Sequence, residues 1–341
     1  MKNLQCAVIG CGRIGCGFDD GIDMVIRTHA GSYYTNSYCN LVALCDIDKS
    51  KLEKYGKKYN ISGLYTESSK MFKQENIYCV SICTLIDTHL TLVKEAVNAG
   101  VKGIFLEKPI SDTLSNSKKI IDICKKNNVA LIIDHQRRFD PFYHSLKQTL
   151  GRIGNLQLVN VLSGSGIANT GSHLFDLIRF LFGELTLVTA NFSRNKSSNQ
   201  FDPNLDIVLT LREHQGTLCK ISSLDYSNYA LFEMDVIGTT GRIKINLTSN
   251  EFNYYSVTNK DSIAYKKLVE SDVQIKQSKQ SSIQLAVQNL IHSIKTRQEP
   301  MCTGYDGYKS LELIIASIIS AKKGRPVKIP LTNNSYKISS K

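Results

Sequence analysis

No apolar run in the 341 residues approaches the ~20 consecutive residues that a membrane helix needs. From Met1 to Phe18 there is one lysine, and Gly10, Gly12, Gly15 and Gly17 interrupt the apolar residues. That stretch therefore lacks the long hydrophobic segment of a secretory signal. No Cys-x-x-Cys pair occurs, and no Cys/His spacing fits a zinc site, so no metal is expected. Repeats and low-complexity blocks are absent as well. A soluble, cytoplasmic protein is expected. Its ten cysteines, eight of them at or before Cys124, are read as reduced, buried thiols, because a chain this long needs no disulfide staples.

What is present is ordinary for a globular protein: 42% hydrophobic and 21% charged residues. The net charge of +12 comes from scattered lysines, such as Lys49, Lys51, Lys54, Lys57 and Lys58, on the polar sides of expected helices. A solvated face explains them better than a nucleic-acid surface, although the charge is compatible with an anionic small-molecule substrate.

A chain of this length suits two domains of roughly 100–200 residues each. The first third alternates strand and helix patterns. Strands are expected at Leu4–Ile9, Leu41–Cys45, Ile77–Cys83, Gly103–Leu106 and Val129–Asp134. Helices are expected at Lys49–Tyr59, Asp87–Ala99 and from Ser111 or Asp112 to Lys126. That alternation implies a parallel sheet with right-handed crossovers. Beyond about Arg137 the strand-like runs Leu156–Leu162, Leu185–Phe192, Leu205–Arg212, Thr217–Ser223, Phe232–Ile237 and Arg242–Leu247 imply a larger, mostly antiparallel sheet. Helices at His173–Phe182, Ser282–Thr296 and Tyr305–Lys323 accompany it, and the tail from Leu331 reads as frayed. The expected organisation is thus an α/β domain with a parallel sheet over 1–136 and an α+β domain with a large, mostly antiparallel sheet over 137–341.

Gly10-Cys11-Gly12-Arg13-Ile14-Gly15 fits G-x-G-x-x-G directly after the first strand. The first glycine permits a tight turn, and the second lets backbone approach a pyrophosphate. An acidic residue should end the second strand, where it accepts hydrogen bonds from the adenosine ribose and repels a 2′-phosphate. Asp46 fits, so NAD is favoured over NADP; Asp48 better suits the start of the following helix. Asp46 stands further from Gly15 than the usual ~20 residues, and Cys16–Arg27 reads as an insertion carrying Asp19, Asp20, Gly21 and Asp23. It could reach the substrate or a neighbouring subunit, or be an inert surface segment.

Three further groups carry possible chemistry. Lys108, in Glu107-Lys108-Pro109, follows a strand and can polarise a substrate oxygen, although these three residues alone also describe a surface turn. His173 could be a general base or a histidine at a helix start beside Asp176. Arg137 and Arg138 could bind an anion or pin structure; one of them is read as structural.

Taken in order, these motifs resemble the glucose–fructose oxidoreductase, inositol dehydrogenase and MocA (Gfo/Idh/MocA) family from about Leu4 to Pro330. The resemblance rests on Gly10–Gly15, Thr84 to His89, Glu107-Lys108-Pro109, Arg137-Arg138-Phe139-Asp140-Pro141, Gly171-Ser172-His173 with Asp176, and Ser320-Ala321 to Val327. It implies that the α/β domain is a Rossmann domain and that the sheet of the α+β domain is open-faced, with NAD(P)-dependent oxidation or reduction of sugars, cyclitols or nucleotide sugars, in a homo-oligomer such as a dimer or tetramer. It places Gly10, Gly12, Arg13, Ile14, Gly15, Asp46, Thr84, His89, Glu107 and Lys108 at the cofactor, and Lys108, Arg137, Asn169 and His173 at the substrate. Lys108 would be the catalytic lysine, with a cis bond to Pro109, and His173 the proton-transferring histidine. Asn169 stands where family members often carry aspartate. The competing readings are a non-catalytic NAD-binding regulator and an NAD-assisted glycoside hydrolase. No membrane or nucleic-acid partner is expected.

Overall fold

The computed structural model describes residues 3–21, 25–195, 197, 202–258, 265–332 and 335–339. They form two compact units, residues 1–140 with 279–309, and residues 141–278 with 310–341.

In the first unit six parallel strands, β1 (Leu4–Ile9), β2 (Cys39–Cys45), β3 (Gly63–Tyr65), β4 (Cys79–Ile82), β5 (Gly103–Leu106) and β6 (Ala130–Ile133), are ordered β3-β2-β1-β4-β5-β6. Helices α1 (His29–Tyr34), α2 (Lys49–Tyr59), α3 (Ser68–Gln74), α4 (His89–Asn98) and α5 (Leu114–Lys126) make the crossovers. Every residue of β4 and β5 is buried, as a parallel sheet covered on both faces requires. Asp48 caps α2 by accepting from the Ser50 and Lys51 amides, which leaves Asp46 for another task. The order reverses direction between β1 and β4, and ligands of such sheets bind beyond the strand ends there.

The second unit opens with α6 (Pro141–Leu150). Its nine strands are β7 (Leu156–Gly164), β8 (Leu185–Phe192), β9 (Leu205–Leu211), β10 (Leu218–Leu224), β11 (Glu233–Gly238), β12 (Gly241–Asn246), β13 (Glu251–Thr258), β14 (Lys267–Ser271) and β15 (Val327–Lys328). They form one sheet, β14-β13-β12-β11-β7-β10-β9-β8-β15, antiparallel except where β10 meets β7. Alternate residues of β9 and β10 are buried, so one face is packed and the other meets solvent. Helix α7 (Gly171–Phe182) lies in this unit, and Gly183 ends it at φ 82°. Two helices follow, α8 (Ser282–Thr296) and α9 (Gly304–Lys323).

Three expectations need correction. First, a boundary at 136/137 assigns α8 to the second domain, but α8 packs on the first sheet. Its Ile283, Ala286, Val287, Leu290 and Ile291 are buried at helical spacing. Gly103 leaves the room it needs, since a Cβ there would stand 2.6 Å from Ile294 and 3.1 Å from Leu290. A helix pattern in sequence shows that a face is apolar, not which sheet receives it. Second, the described part of the tail is docked: Ile338 is buried, and the Leu331 amide donates to Glu312 Oε1 at 2.9 Å. Third, α7 begins at Gly171, so Asp176 sits buried in the second turn and not at the helix start. β3, α3, α6, β13 and β14 have no counterpart in the expected elements. All ten cysteines are free, nine of them buried.

Leu290→Ala tests the placement of α8. It removes a fully buried side chain between α8 and the first sheet. Stability should fall by ~2–5 kcal/mol in denaturant unfolding; an unchanged midpoint would mean that α8 does not close this core.

Candidate active site

The glycine turn is built by exclusion. Gly10 has φ 94°, and a Cβ on it would meet the Cys83 carbonyl oxygen at 2.5 Å. A Cβ on Gly15 would stand 1.9 Å from the Gly10 oxygen. Around Gly12, by contrast, an added Cβ meets nothing within 4 Å, so this backbone is open to a ligand. Together these make a cradle suited to a pyrophosphate. Asp46 ties it to the second strand: its Oδ2 accepts the Cys11 amide at 2.6 Å and its Oδ1 the Asp48 amide at 2.9 Å. Each oxygen keeps acceptor capacity for ribose hydroxyls.

The helix that should follow Gly15 is interrupted and then resumed. The His29 amide donates to Ile14 O at 3.1 Å and the Ala30 amide to Gly15 O at 2.9 Å, so α1 continues the turn across the insertion. The insertion is fastened on both sides. Asp19 accepts from the Arg27 amide and the Thr28 hydroxyl. Asp20 accepts from Lys54 at 2.7 Å, Lys58 at 2.9 Å and Tyr55 at 2.9 Å. Burial works against the Asp20 charge, but these three donors hold its carboxyl down at about 2. Arg13 stacks on Phe18 of the insertion, 4.8 Å from the ring centre. Asp23 lies outside the described residues.

Thr84 packs against Gly10, and its hydroxyl shares a hydrogen bond with Thr88. His89 is fully buried, with one ring nitrogen 3.2 Å from Ile110 O and the other 3.2 Å from Thr84 O. It braces the Thr84 loop against the segment that follows Pro109. Glu107 and Lys108 stand immediately beyond β5. Lys108 is half-buried, its amide donates to Glu107 Oε2 at 3.2 Å, and the Lys108–Pro109 peptide is cis, as the resemblance implied. Arg138 pairs with Asp306 at 2.9 Å inside the first unit, which is the structural arginine; Arg137 is half-buried beside it.

In the second unit His173 is the third residue of α7 and half-buried, and Asn169 is exposed on a single π-helical turn, Gly166–Thr170. A segment that the sequence reading missed holds this turn. The amides of Gly166, Ile167, Ala168 and Asn169 donate in succession to Asn204 Oδ1 (2.9 Å), Pro203 O (3.1 Å), Asp202 Oδ1 (2.7 Å) and Asp202 Oδ2 (2.9 Å). Gly166 has φ 86°, and a Cβ there would strike Asp202 at 2.2 Å. Asp-Pro-Asn is a turn-forming triplet, but nothing in the sequence says which backbone it will meet.

Residues 4–135 match the pattern of an oxidoreductase family with an NAD-binding Rossmann fold, and residues 159–329 match that family's C-terminal alpha/beta domain. The chain belongs to the Gfo/Idh/MocA oxidoreductase family. It is an NAD-binding oxidoreductase of a group that includes sugar and cyclitol dehydrogenases. It is 26% identical to a D-apiose dehydrogenase of Paraburkholderia graminis, covering 96% of this chain and 90% of that one. It is 24% identical to a myo-inositol 2-dehydrogenase of Thermotoga maritima, covering 96% and 98%. An Agrobacterium radiobacter oxidoreductase, solved with NAD+, L-tartaric acid and magnesium, shares the fold with TM-score 0.79 and 21% identity over 96% of this chain and 99% of that one. Among the described residues no helix is long and apolar enough to cross a membrane.

Asp46 generates a cofactor test. Equilibrium titration should show NADH binding more tightly than NADPH, because a 2′-phosphate would meet the Asp46 carboxylate at the ribose. Tighter NADPH binding would remove Asp46 from that role.

Proposed function

We infer that this oxidoreductase interconverts a secondary alcohol and its ketone on a sugar, cyclitol or nucleotide-sugar substrate. The observation that carries the reading is the carboxyl edge of the first sheet. There the open backbone at Gly12 follows β1, and a half-buried lysine on a cis-proline turn follows β5. The residues present fit NAD: Gly10, Gly12 and Gly15 shape the cradle with Arg13 and Ile14, Asp46 takes the ribose, and Thr84, Glu107 and Lys108 line the nicotinamide end, with His89 bracing the loop. NAD, when bound, supplies the hydride acceptor or donor.

In this reading the chain's own groups handle charge and protons. The Lys108 ammonium donates to the substrate oxygen and stabilises alkoxide character at it. His173 exchanges the hydroxyl proton. Arg137 and Asn169 orient the remaining substrate groups, and the basic balance of the chain favours an anionic substituent on the sugar. Asp202 positions Asn169 and the start of α7 by holding the Ala168 and Asn169 amides. The same reading takes the protein as a cytoplasmic homo-oligomer acting on a small molecule, without a nucleic-acid or membrane partner. Neither the regulator nor the glycosidase reading gains an observation.

Lys108→Met keeps the stem length and removes the ammonium. With a panel of sugars, cyclitols and nucleotide sugars, kcat should drop by ~10²–10³, the scale for losing one preorganised donor, while NADH affinity stays. Near-normal turnover would reduce Lys108 to a surface residue.

Asp202→Asn is nearly isosteric but turns an NH2 group toward one of two backbone N–H donors. It should cost ~1–3 kcal/mol of stability and lower kcat without changing NADH affinity. A loss of NADH binding with unchanged kcat would separate Asp202 from the proton-handling turn.

A further inference from the structure

β5 and β6 pair in register, with Leu106 opposite Ile133. Glu107 and Asp134, each one step beyond its strand, are therefore brought side by side. Both are buried, at 7% and 1% exposure. His29 at the start of α1 completes the group at 0% exposure, with Nε2 3.0 Å from Glu107 Oε1 and 3.8 Å from Asp134 Oδ2. The reactive atoms of all three lie within 4.8 Å of one another. The far side of the imidazole is also occupied: Nδ1 lies 2.9 Å from Ser81 Oγ, and the Ser81 hydroxyl contacts Tyr33 OH at 3.0 Å. Phe105 packs on the ring with centroids 4.3 Å apart. Gln136 donates to Asp134 Oδ2 at 3.1 Å.

Two carboxylates this close and this deeply buried cannot both stay ionised beside a neutral imidazole. Asp134 Oδ1 is moreover buried with no hydrogen-bond partner among the described residues, a poor setting for a full negative charge. We propose that His29, Glu107 and Asp134 form a buried site that holds one proton at neutral pH, shared by the two carboxyl groups, with His29 uncharged. The charge beneath the Glu107–Lys108 turn is then minus one instead of minus two.

The titration directions agree. Burial, opposed by Asp134, holds His29 down at about 4. Burial also raises Glu107, against the opposing pull of Asp134 and Lys108, and raises Asp134 with Glu107 beside it. Among the described residues, Lys108 and Cys83 also act on the pair, and the Cys83 thiol is kept neutral by burial and by both carboxyls. Tyr33, reached through Ser81, is likewise kept neutral by burial.

The sign of the linkage gives the test. Above about pH 6.5 the unfolded chain has deprotonated both carboxyls and most of its histidine. The folded site still holds its proton, so wild-type stability declines as pH rises. In Asp134→Asn the folded site holds none. From about pH 6.5 to about pH 8.5, the folding constant of Asp134→Asn should therefore gain tenfold per pH unit relative to wild type. The measurement is denaturant unfolding of the full chain with a chelator present. Other titrating groups cancel in the comparison. Glu107→Gln should give the same slope, and so should the double variant, because the proton is one and shared. A doubled slope in the double variant would mean a proton on each carboxyl and would overturn the proposal. A flat difference, or a wild-type stability that depends on the chelator, would replace the proton by a charged imidazole or a metal ion. Should the variants fail to fold, infrared spectra of the wild type decide: a buried, protonated carboxyl band at neutral pH is expected, and its absence refutes the site. None of these readouts uses turnover, so the result stands apart from the assignment of the reaction.

Discussion

Gly10 and Gly15 must nearly touch, and much of the first unit follows from that contact. No side chain fits at Gly15, where a Cβ would stand 1.9 Å from the Gly10 oxygen. The tight closure points the Ile14 and Gly15 carbonyls along a helix axis. The amides of His29 and Ala30 find those carbonyls after a long detour, and α1 is seeded there. The seeding fixes His29 as the first residue of α1, where its ring reaches Glu107. Glu107 in turn receives the Lys108 amide. A steric constraint between two glycines is thus transmitted, through four residues, to the lysine on which the proposed chemistry depends.

The insertion does not disturb this path because its described acidic residues, Asp19 and Asp20, are spent on anchoring. Asp19 holds Arg27 and Thr28, and Asp20 holds two lysines and a tyrosine of α2. Exposed ion pairs contribute ~0–1 kcal/mol each. Their value here lies in geometry: they return the chain to Thr28, whose side chain caps α1 by accepting from the Gly31 amide. An acidic loop near a cofactor cradle suggests a substrate contact from sequence, but the carboxylates of Asp19 and Asp20 face this chain's own donors.

Features legible in the sequence were those set by local rules. The glycine turn, the parallel strands and the cap at Asp48 each depend on a few adjacent residues or on a short motif; the cis turn before Pro109 came only with the family resemblance. The features that escaped were set by distant partners. Leu290 and Ile294 show an apolar stripe, but only Gly103, far away in the chain, tells where that stripe lands. Glu107 was visible as part of a motif, whereas Asp134 was visible only as the end of a strand. Their proximity needs the β5–β6 register, which a list of strands does not contain. Asp202 and Asn204 looked like turn residues and are turn residues, but the backbone they hold belongs to another segment.

Those two missed groups have a common logic. Each proposed proton-handling side chain sits beside a backbone turn that a buried carboxyl holds through its amides: Glu107 takes the Lys108 amide in one unit, and Asp202 takes the Ala168 and Asn169 amides in the other. A carboxylate that accepts N–H groups fixes backbone position more firmly than a neutral acceptor, because the bonds are charge-assisted. The cost is burial of negative charge, and the two sites meet it differently. Asp202 disperses its charge over two amides of one turn. Glu107 has a second carboxyl beside it and an imidazole pressed against it, so the site meets the cost by keeping a proton. In each unit the side chain proposed to move a proton is thus carried beside a turn whose own charge is already settled.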